Sequence, residues 1–111
     1  IVSTPQDIAL IDAVKGVNMF KRVDVPILGI VENMSYYVCE KCGTRADIFG
    51  HEGARKTADS LGVPFLGEIP LHIDIRTNAD NGTPIVVSKP DSPHTKAYLD
   101  IAAKVKAELG L

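Results

Sequence analysis

An uninterrupted apolar run, Pro26-Ile27-Leu28-Gly29-Ile30-Val31, constrains the fold of this chain more than any other feature. An alternating pattern would indicate a strand with one face in water, whereas an unbroken run is typical of a strand that is covered on both faces. Strands of that kind lie in parallel sheets with helices packed on each side. At 111 residues and 45% hydrophobic content, the chain can bury one modest core. The run therefore predicts an α/β fold with a central strand at residues 26–31.

Helical and strand patterns alternate on both sides of this run, which predicts a mainly parallel sheet with crossover helices. Thr4 before Pro5, with an acidic residue at Asp7, is typical of a helix start with Thr4 as the N-cap. Ser92 before Pro93 indicates the start of the last helix in the same way. The predicted elements are a strand end at 1–3, a helix from 4 to about 22, the strand at 26–31, a helix at 51–61, a strand at 63–69, a helix at 71–81, a short strand or edge segment at 84–87 and a final helix. On the helix at 51–61, the predicted inward residues are Ala54, Ala58 and Leu61. On the final helix, they are Tyr98, Ile101, Ala102, Val105 and Leu109.

Charge and hydropathy exclude several classes of partner. The net charge of -2 provides no basic patch for nucleic acid or for an anionic membrane surface. No apolar run reaches the roughly 18 residues that a membrane span needs. We therefore expect a cytoplasmic protein with no nucleic-acid or membrane partner. The chain also opens without Met, on an apolar strand that would normally be buried, which predicts a piece of a longer protein.

The polar segment at residues 32–50 has no sustained apolar period, which predicts a long functional loop. It contains a CxxC motif, Cys39-Glu40-Lys41-Cys42, followed by Gly43. Two intervening residues let both sulfurs face one soft metal ion or cluster, and the glycine permits a tight turn. Structural zinc and the common iron-sulfur clusters take four protein ligands, so one pair predicts a site completed by a second copy or a partner. Lys41 and Arg45 are expected to favour the thiolate form.

Two other interpretations of the cysteine pair remain open from the residues alone. Cys39 and Cys42 could be reduced, inert loop thiols, or they could form a redox pair. A redox pair of the thioredoxin kind places its first cysteine at a helix N-terminus, where the helix dipole lowers the thiol pKa. The residues Tyr36-Tyr37-Val38 before the pair and Gly43 after it favour a turn over a helix.

Several short motifs follow one another along the chain. They are Ile1-Val2-Ser3-Thr4-Pro5-Gln6-Asp7, Lys15-Gly16, Gly29-Ile30-Val31-Glu32-Asn33-Met34-Ser35, the CxxC motif, Ile48-Phe49-Gly50, Leu66-Gly67-Glu68-Ile69-Pro70-Leu71, Arg76 and Asp80-Asn81-Gly82-Thr83-Pro84-Ile85. In this order and at these spacings they resemble the Mrp/ApbC family of iron-sulfur cluster carriers, whose members are similar in fold to MinD and to nitrogenase iron protein. The resemblance covers nearly the whole chain. It implies that residues 1–111 are the C-terminal half of a doubly wound, mainly parallel-sheet P-loop ATPase domain, with the CxxC loop at about 34–47.

The resemblance also implies a function and a set of site residues. Members of the family are dimeric ATPases that hold a labile [4Fe-4S] cluster across the dimer and pass it to apo iron-sulfur proteins. Cys39 and Cys42 match the cluster ligands, and Asn33, Pro70 and Leu71 match the positions that recognise the nucleotide base. An Asn amide offers a donor and an acceptor to the adenine edge, and Pro70 could close one face of the base. The alternative for Asn33 is a cap at the strand end that bonds the backbone of the following loop.

The chain departs from the family pattern because it contains no G-x-x-x-x-G-K-[ST] phosphate-binding motif. The complete protein is expected to bind ATP with magnesium and to hydrolyse it, whereas this stretch by itself should be inactive. The rival interpretations are a non-enzymatic dimerisation module held by zinc and a MinD/ParA-like regulatory ATPase with an incidental CxxC. His51, His72 and His94 lie in different segments without catalytic spacing, so they predict no rival site.

Overall fold

The computed structural model describes residues 1–111 and alternates helices with strands. The elements are β1 (Val2–Ser3), α1 (Asp7–Arg22), β2 (Ile30–Glu32), β3 (Tyr37–Val38), β4 (Arg45–Ala46), α2 (Gly53–Leu61), β5 (Phe65–Glu68), α3 (Ile73–Asp80), α4 (Ile85–Ser88) and α5 (Pro93–Glu108). The predicted α/β class is confirmed.

The main sheet is parallel and has the order β1-β2-β5. Glu32 is paired with Ser3 on one side and with Glu68 on the other, so the carboxyl ends of the strands meet at one edge. The apolar run does supply the central strand, but β2 occupies only Ile30–Glu32 and the prediction of a strand at 26–31 was wrong in its bounds. Ile27 packs against the core from outside the strand. An apolar run predicts which residues are buried, and here the buried residues extend beyond those that are hydrogen-bonded in the sheet.

Helices cover both faces of the sheet, as in a doubly wound fold. On one face, α1 and α2 enclose a core of Val17, Ile30, Ala54 and Ala58. On the other face, the core of Val31, Leu66 and Ile69 is covered by Ile75 of α3 and by Tyr98, Ile101 and Val105 of α5. The predicted inward positions of α5 are thus confirmed for Tyr98, Ile101 and Val105. The predictions for Ala102 and Leu109 were wrong. Ala102 is exposed on α5, and Leu109 lies beyond the end of α5 at Glu108 and is 54% exposed.

The two predicted helix starts have different outcomes. Ser92 caps α5 as expected, since its side chain accepts a hydrogen bond from the His94 N–H at 3.1 Å. The prediction for α1 was wrong by a few residues, because Gln6 is the N-cap and the helix begins at Asp7. The Thr4 hydroxyl instead accepts from the Gln6 N–H at 3.4 Å, which forms a local turn before the helix.

Residues 84–87 were predicted as a short strand or edge segment, but Pro84 is the N-cap of the short helix α4 and residues 85–87 lie in that helix. The hydroxyl of the buried Thr95 lies 3.0 Å from the Ile85 carbonyl oxygen and 2.6 Å from the Lys89 carbonyl oxygen, and so ties both ends of α4 to α5. These tertiary contacts outweigh the β propensity of the branched residues.

Residues 32–50, predicted as a loop, contain the antiparallel hairpin of β3 and β4. Tyr37 is paired with Ala46 and Val38 with Arg45. This hairpin, which we call the cysteine hairpin, stands apart from the main sheet and carries Cys39 and Cys42 between its strands. None of the helices has both the length and the apolar character required to cross a bilayer.

Candidate metal and nucleotide site

The two cysteines lie on a tight turn at the tip of the cysteine hairpin. The Cys39 N–H donates to the Thr44 carbonyl oxygen at 3.0 Å, and the Gly43 N–H donates to the Cys39 carbonyl oxygen at 2.8 Å. Gly43 takes a positive φ of 72°, a conformation that glycine adopts without a steric penalty. Both thiols are free, with Cys39 partly buried and Cys42 exposed. The turn therefore presents two accessible sulfur donors from one short segment.

Hydrogen bonding shifts the acidity of the outer thiol. Cys42 Sγ and Thr44 Oγ1 are 3.2 Å apart, and in the thiolate form the hydroxyl is the donor. The Thr44 hydroxyl and the Thr44 backbone N–H lower the pKa of Cys42 below its ordinary value. The thiolate, which is the form that binds metals, is thereby favoured.

The prediction that Arg45 favours the thiolate form of the cysteines was wrong, because its guanidinium is engaged elsewhere. Its guanidinium binds Asp47 at 3.1 Å and Glu68 at 3.6 Å, and it lies over the ring of Tyr36 at 4.1 Å from the centroid. Its charge is therefore directed to carboxylates and an aromatic face. The physical role of Arg45 is to attach the cysteine hairpin to the end of β5, while Thr44 supplies the stabilisation of the thiolate.

The chain provides only part of a metal site. No group of three or more His, Cys, Asp or Glu side chains lies close enough to hold a metal ion. Cys39 and Cys42 therefore contribute two donors, and the remaining ligands of a four-coordinate site have to come from outside this chain.

Asn33, Pro70 and Leu71 follow the neighbouring strands β2 and β5 at the carboxyl edge of the sheet. The Asn33 N–H donates to the Ser3 carbonyl oxygen at 2.7 Å, and the Leu71 N–H donates to the Tyr36 carbonyl oxygen at 2.7 Å. Pro70 is buried, whereas Asn33 and Leu71 are partly exposed. The structure thus places the three predicted residues on adjacent segments, at the edge where ligands of open α/β sheets bind.

The loop after β2 is ordered by Ser35 and Glu32 rather than by the Asn33 side chain. The Ser35 N–H donates to the Ile69 carbonyl oxygen at 2.9 Å, and the Ser35 hydroxyl donates to Glu32 Oε2 at 2.5 Å. Glu32 is 1% exposed, and its Oε1 accepts from the Ala54 N–H at 3.1 Å. A buried carboxylate therefore joins the strand end, the loop and α2. The sequence analysis missed this role; a charged residue directly after a buried run was the available signal.

A polar cluster also forms between the cysteine hairpin and the helices that follow β5. His72 Nε2 lies 2.5 Å from Glu40 Oε1, and the rings of His72 and His94 are 4.3 Å apart. Asp74 binds Lys89 at 2.5 Å on the same side. His51 lies apart from this cluster and pairs with Asp47. His72 and His94 therefore meet in space although they are 22 positions apart in the sequence.

Comparison with known proteins decides the family. A family model described as "ParA: NUBPL iron-transfer P-loop NTPase" matches residues 1–106. The chain belongs to this family. The match covers both the cysteine hairpin and the strand ends that carry Asn33, Pro70 and Leu71.

Relatives of this NUBPL-type chain extend well beyond it. The iron-sulfur cluster transfer protein NUBPL of Dictyostelium discoideum is 56% identical over 109 residues, which cover 98% of this chain and 34% of the relative. The iron-sulfur cluster carrier protein of Salmonella typhimurium is 53% identical over 109 residues, which cover 98% of this chain and 30% of the relative. The chain thus spans about a third of the length of these curated relatives.

A solved structure confirms the predicted fold class. The septum site-determining protein MinD from Pyrococcus horikoshii, complexed with Mg-ADP, superposes with a TM-score of 0.75 at 26% identity, covering 98% of this chain and 42% of MinD. This NUBPL-type chain is therefore a mainly parallel-sheet part of a MinD/ParA-like P-loop NTPase fold. The chain contains the cysteine hairpin and the carboxyl ends of β2 and β5, and its sequence has no phosphate-binding motif.

Proposed function

We propose that this chain is the C-terminal part of a longer iron-sulfur cluster carrier that binds ATP and a bridging [4Fe-4S] cluster in a homodimer and transfers the cluster to apo iron-sulfur proteins. The observation that carries the proposal is the turn of the cysteine hairpin, which presents two free thiols and is joined by no third ligand of the same chain. The names of the relatives, a cluster transfer protein and a cluster carrier protein, support the identity of the cargo.

Ligand count and exposure favour a site shared by two copies. One chain offers two sulfur donors, and a [4Fe-4S] cluster takes four, so a symmetric pair of chains completes the set. Cys42 is exposed at the hairpin tip, where a second copy could approach without rearrangement of the main sheet. The same exposure would let a client protein reach the cargo.

The nucleotide part of the proposal concerns the carboxyl edge of the sheet. The partly exposed amide of Asn33 would pair with the adenine edge, and Pro70 and Leu71 on the neighbouring segment would contact the base. Phosphate and magnesium contacts would come from the rest of the complete protein, because this chain lacks the motif that cradles phosphates. The 111-residue chain on its own would not hydrolyse ATP. A cytoplasmic location stays a prediction.

Anaerobic reconstitution of the complete protein with iron and sulfide tests the cargo. We expect a brown dimer with about four irons per two chains, measured by absorption spectra, metal analysis and mass per particle. Cys39→Ser and Cys42→Ser should abolish loading, whereas Ser60→Ala, a change on the exposed side of α2, should not. A colourless dimer that retains only zinc would refute the carrier and would instead establish the zinc-stabilised dimerisation module.

Equilibrium binding of a fluorescent ATP analogue to the complete protein tests the base contacts. Loss of the Asn33 amide in Asn33→Ala should raise the Kd by about tenfold, the effect of one or two hydrogen bonds. Asn18→Ala, on the exposed face of α1, is the matched control and should leave the Kd unchanged. Equal Kd values for wild type and Asn33→Ala would exclude Asn33 from the base pocket.

A further inference from the structure

The cysteine hairpin and the connection between β5 and α3 are bonded to each other directly. The backbone N–H of Leu71 donates to the carbonyl oxygen of Tyr36 at 2.7 Å, and Tyr36 immediately precedes β3. Leu71 therefore lies between the proposed nucleotide pocket and the start of the cysteine hairpin. The backbone hydrogen bond to Tyr36 joins these two segments directly.

A side-chain contact repeats the connection at the tip of the hairpin. Glu40, which stands between the two cysteines, lies 2.5 Å from Nε2 of His72, the residue after Leu71. His72 Nδ1 accepts a hydrogen bond from the Asp74 N–H at 3.1 Å, so the ring proton is on Nε2 and is donated to Glu40. Only 11% of the His72 side chain is exposed, whereas 68% of the Glu40 side chain is exposed. The histidine side chain is thus held within the fold, whereas the glutamate side chain lies largely in solvent.

A third contact also joins the cysteine hairpin to β5. Arg45 of β4 binds Glu68, the last residue of β5, at 3.6 Å. The hairpin itself has only the pairs Tyr37 with Ala46 and Val38 with Arg45, and it makes no ladder with the main sheet. These three contacts therefore all join the hairpin to one region, the end of β5 and the segment that follows.

We propose that His72 is a positioning residue that couples occupancy of the nucleotide pocket to the presentation of Cys39 and Cys42. The inference rests on the proposed binding of a nucleotide base at Pro70 and Leu71. A base that displaces Leu71 carries the adjoining His72 with it, and the hydrogen bond to Glu40 transfers that displacement to the residue between the thiols. His72 acts through Glu40 and not as a metal ligand, because both of its ring nitrogens are already engaged.

Thiol reactivity of the reduced, cluster-free complete protein provides the test. Cys39 and Cys42 are alkylated with iodoacetamide in the absence and in the presence of saturating ADP, and the rates are read by mass spectrometry. Trypsin cleaves after Arg22, Lys41 and Arg45, so Cys39 falls in the peptide 23–41 and Cys42 in the peptide 42–45, and each thiol is followed separately. Nucleotide Kd values are measured on the same samples.

The expected result is an alkylation rate at Cys39 that ADP changes by roughly two- to tenfold, the ratio that one hydrogen bond can contribute. His72→Ala and Glu40→Ala should remove this ADP effect, and the double variant should behave as the single ones do. Glu40→Gln keeps an acceptor for the Nε2 proton and should retain the effect. Asp80→Ala is the matched control, since it breaks the ion pair with Arg76 on α3 without touching the hairpin.

The outcomes separate this inference from the function on which it rests. ADP that binds but leaves the alkylation rates unchanged, or an ADP effect that survives in His72→Ala and Glu40→Ala, overturns the coupling and leaves the carrier proposal intact. A complete protein that binds no nucleotide overturns the nucleotide part of the proposed function, and the coupling falls with it. Because Glu40 is exposed, Glu40→Ala provides the test even where His72→Ala fails to fold.

Discussion

Glu32 Oε1 accepts a hydrogen bond from the Ala54 N–H at 3.1 Å, so a carboxylate at the end of the central strand caps the first turn of α2. The side chain of Glu52, the N-cap residue of α2, makes no capping hydrogen bond. The Ser35 hydroxyl satisfies the other carboxylate oxygen. A buried charge is tolerated here because both oxygens accept hydrogen bonds and the helix N-terminus supplies positive potential.

We predict that Glu32→Ala destabilises the complete protein by about 1.5–3 kcal/mol, because the Ala54 N–H and the Ser35 hydroxyl lose a charged acceptor in the interior. Glu32→Gln keeps one acceptor oxygen and should cost less. The measurement is the free energy of unfolding from urea denaturation. Glu108→Ala, at the exposed end of α5, should change that free energy by less than about 0.5 kcal/mol. Equal stability of wild type and Glu32→Ala would show that the contact contributes nothing.

Gly67 permits the close approach of α5 to β5. A Cβ at this position would lie 2.8 Å from Ile101 Cγ1, and the backbone φ of 149° also disfavours any side chain. We predict that Gly67→Ala costs about 1–3 kcal/mol of unfolding free energy through overpacking. In combination with Ile101→Ala, which removes the opposing atoms, the loss should be smaller than the sum of the two single losses. Strict additivity in urea denaturation would contradict the proposed clash.

His94 should make the folded protein less stable in mild acid. Burial and the neighbouring His72 lower the pKa of His94 below its ordinary value, although Asp74 and Glu40 oppose the shift and Lys89 adds to it. Because the pKa is lower in the folded state, the unfolded state binds the proton first as the pH falls below about 6.5. Stability at neutral pH is thus lost as the pH falls through the folded pKa.

The pH dependence of the unfolding midpoint between about 7 and 5 should therefore be weaker in His94→Gln than in wild type. His51→Gln, which alters an exposed histidine that pairs with Asp47, is the control. The hydrogen bond from Lys89 lowers the pKa of Asp74 below its ordinary value. The stability that this pair contributes is therefore lost only in stronger acid, as the pH falls through that lowered pKa. An NMR titration that places His94 at or above about 6.5 in the folded protein would contradict the prediction.

Thr44 should control the reactivity of Cys42. Removal of the hydroxyl in Thr44→Val lets the pKa of Cys42 rise toward its ordinary value, which reduces the thiolate fraction near neutral pH. Alkylation of Cys42 in the cluster-free protein should become slower, and its pH-rate profile should move to higher pH. Thr44→Ser retains the donor and should resemble wild type. A pH-rate profile for Thr44→Val that coincides with the wild-type profile would show that the Thr44 hydroxyl does not lower the pKa of Cys42.

Periodicity was sufficient to predict the order of β1, α1, β2, α2, β5, α3 and α5, and two buried positions of α2, because both depend on local apolar spacing. It placed Ala54 and Ala58 inward, and both are fully buried. The same reasoning failed for residues 84–87, since Ile85, Val86 and Val87 favour a strand intrinsically and the contacts of Thr95 that stabilise a helix arise only in the folded chain.

The candidate site was predictable where its residues adjoin in sequence and not where the fold brings them together. The CxxC spacing and the following glycine were enough to predict the turn at Cys39 and Cys42. The contact between Glu40 and His72 joins residues 32 positions apart, and that between Glu32 and Ala54 joins residues 22 positions apart. Apolar periodicity cannot predict such contacts, because each depends on how the fold aligns β2, β5 and the segments that follow them.

The separation of the cysteine hairpin from the main sheet has a thermodynamic consequence. The hairpin contains two residue pairs, whereas β2 is bonded on both sides and enclosed by two apolar cores. Local opening of the hairpin therefore requires much less free energy than unfolding of the domain. Under the proposed function, the segment that carries the two cargo-binding thiols can therefore rearrange while the core stays folded.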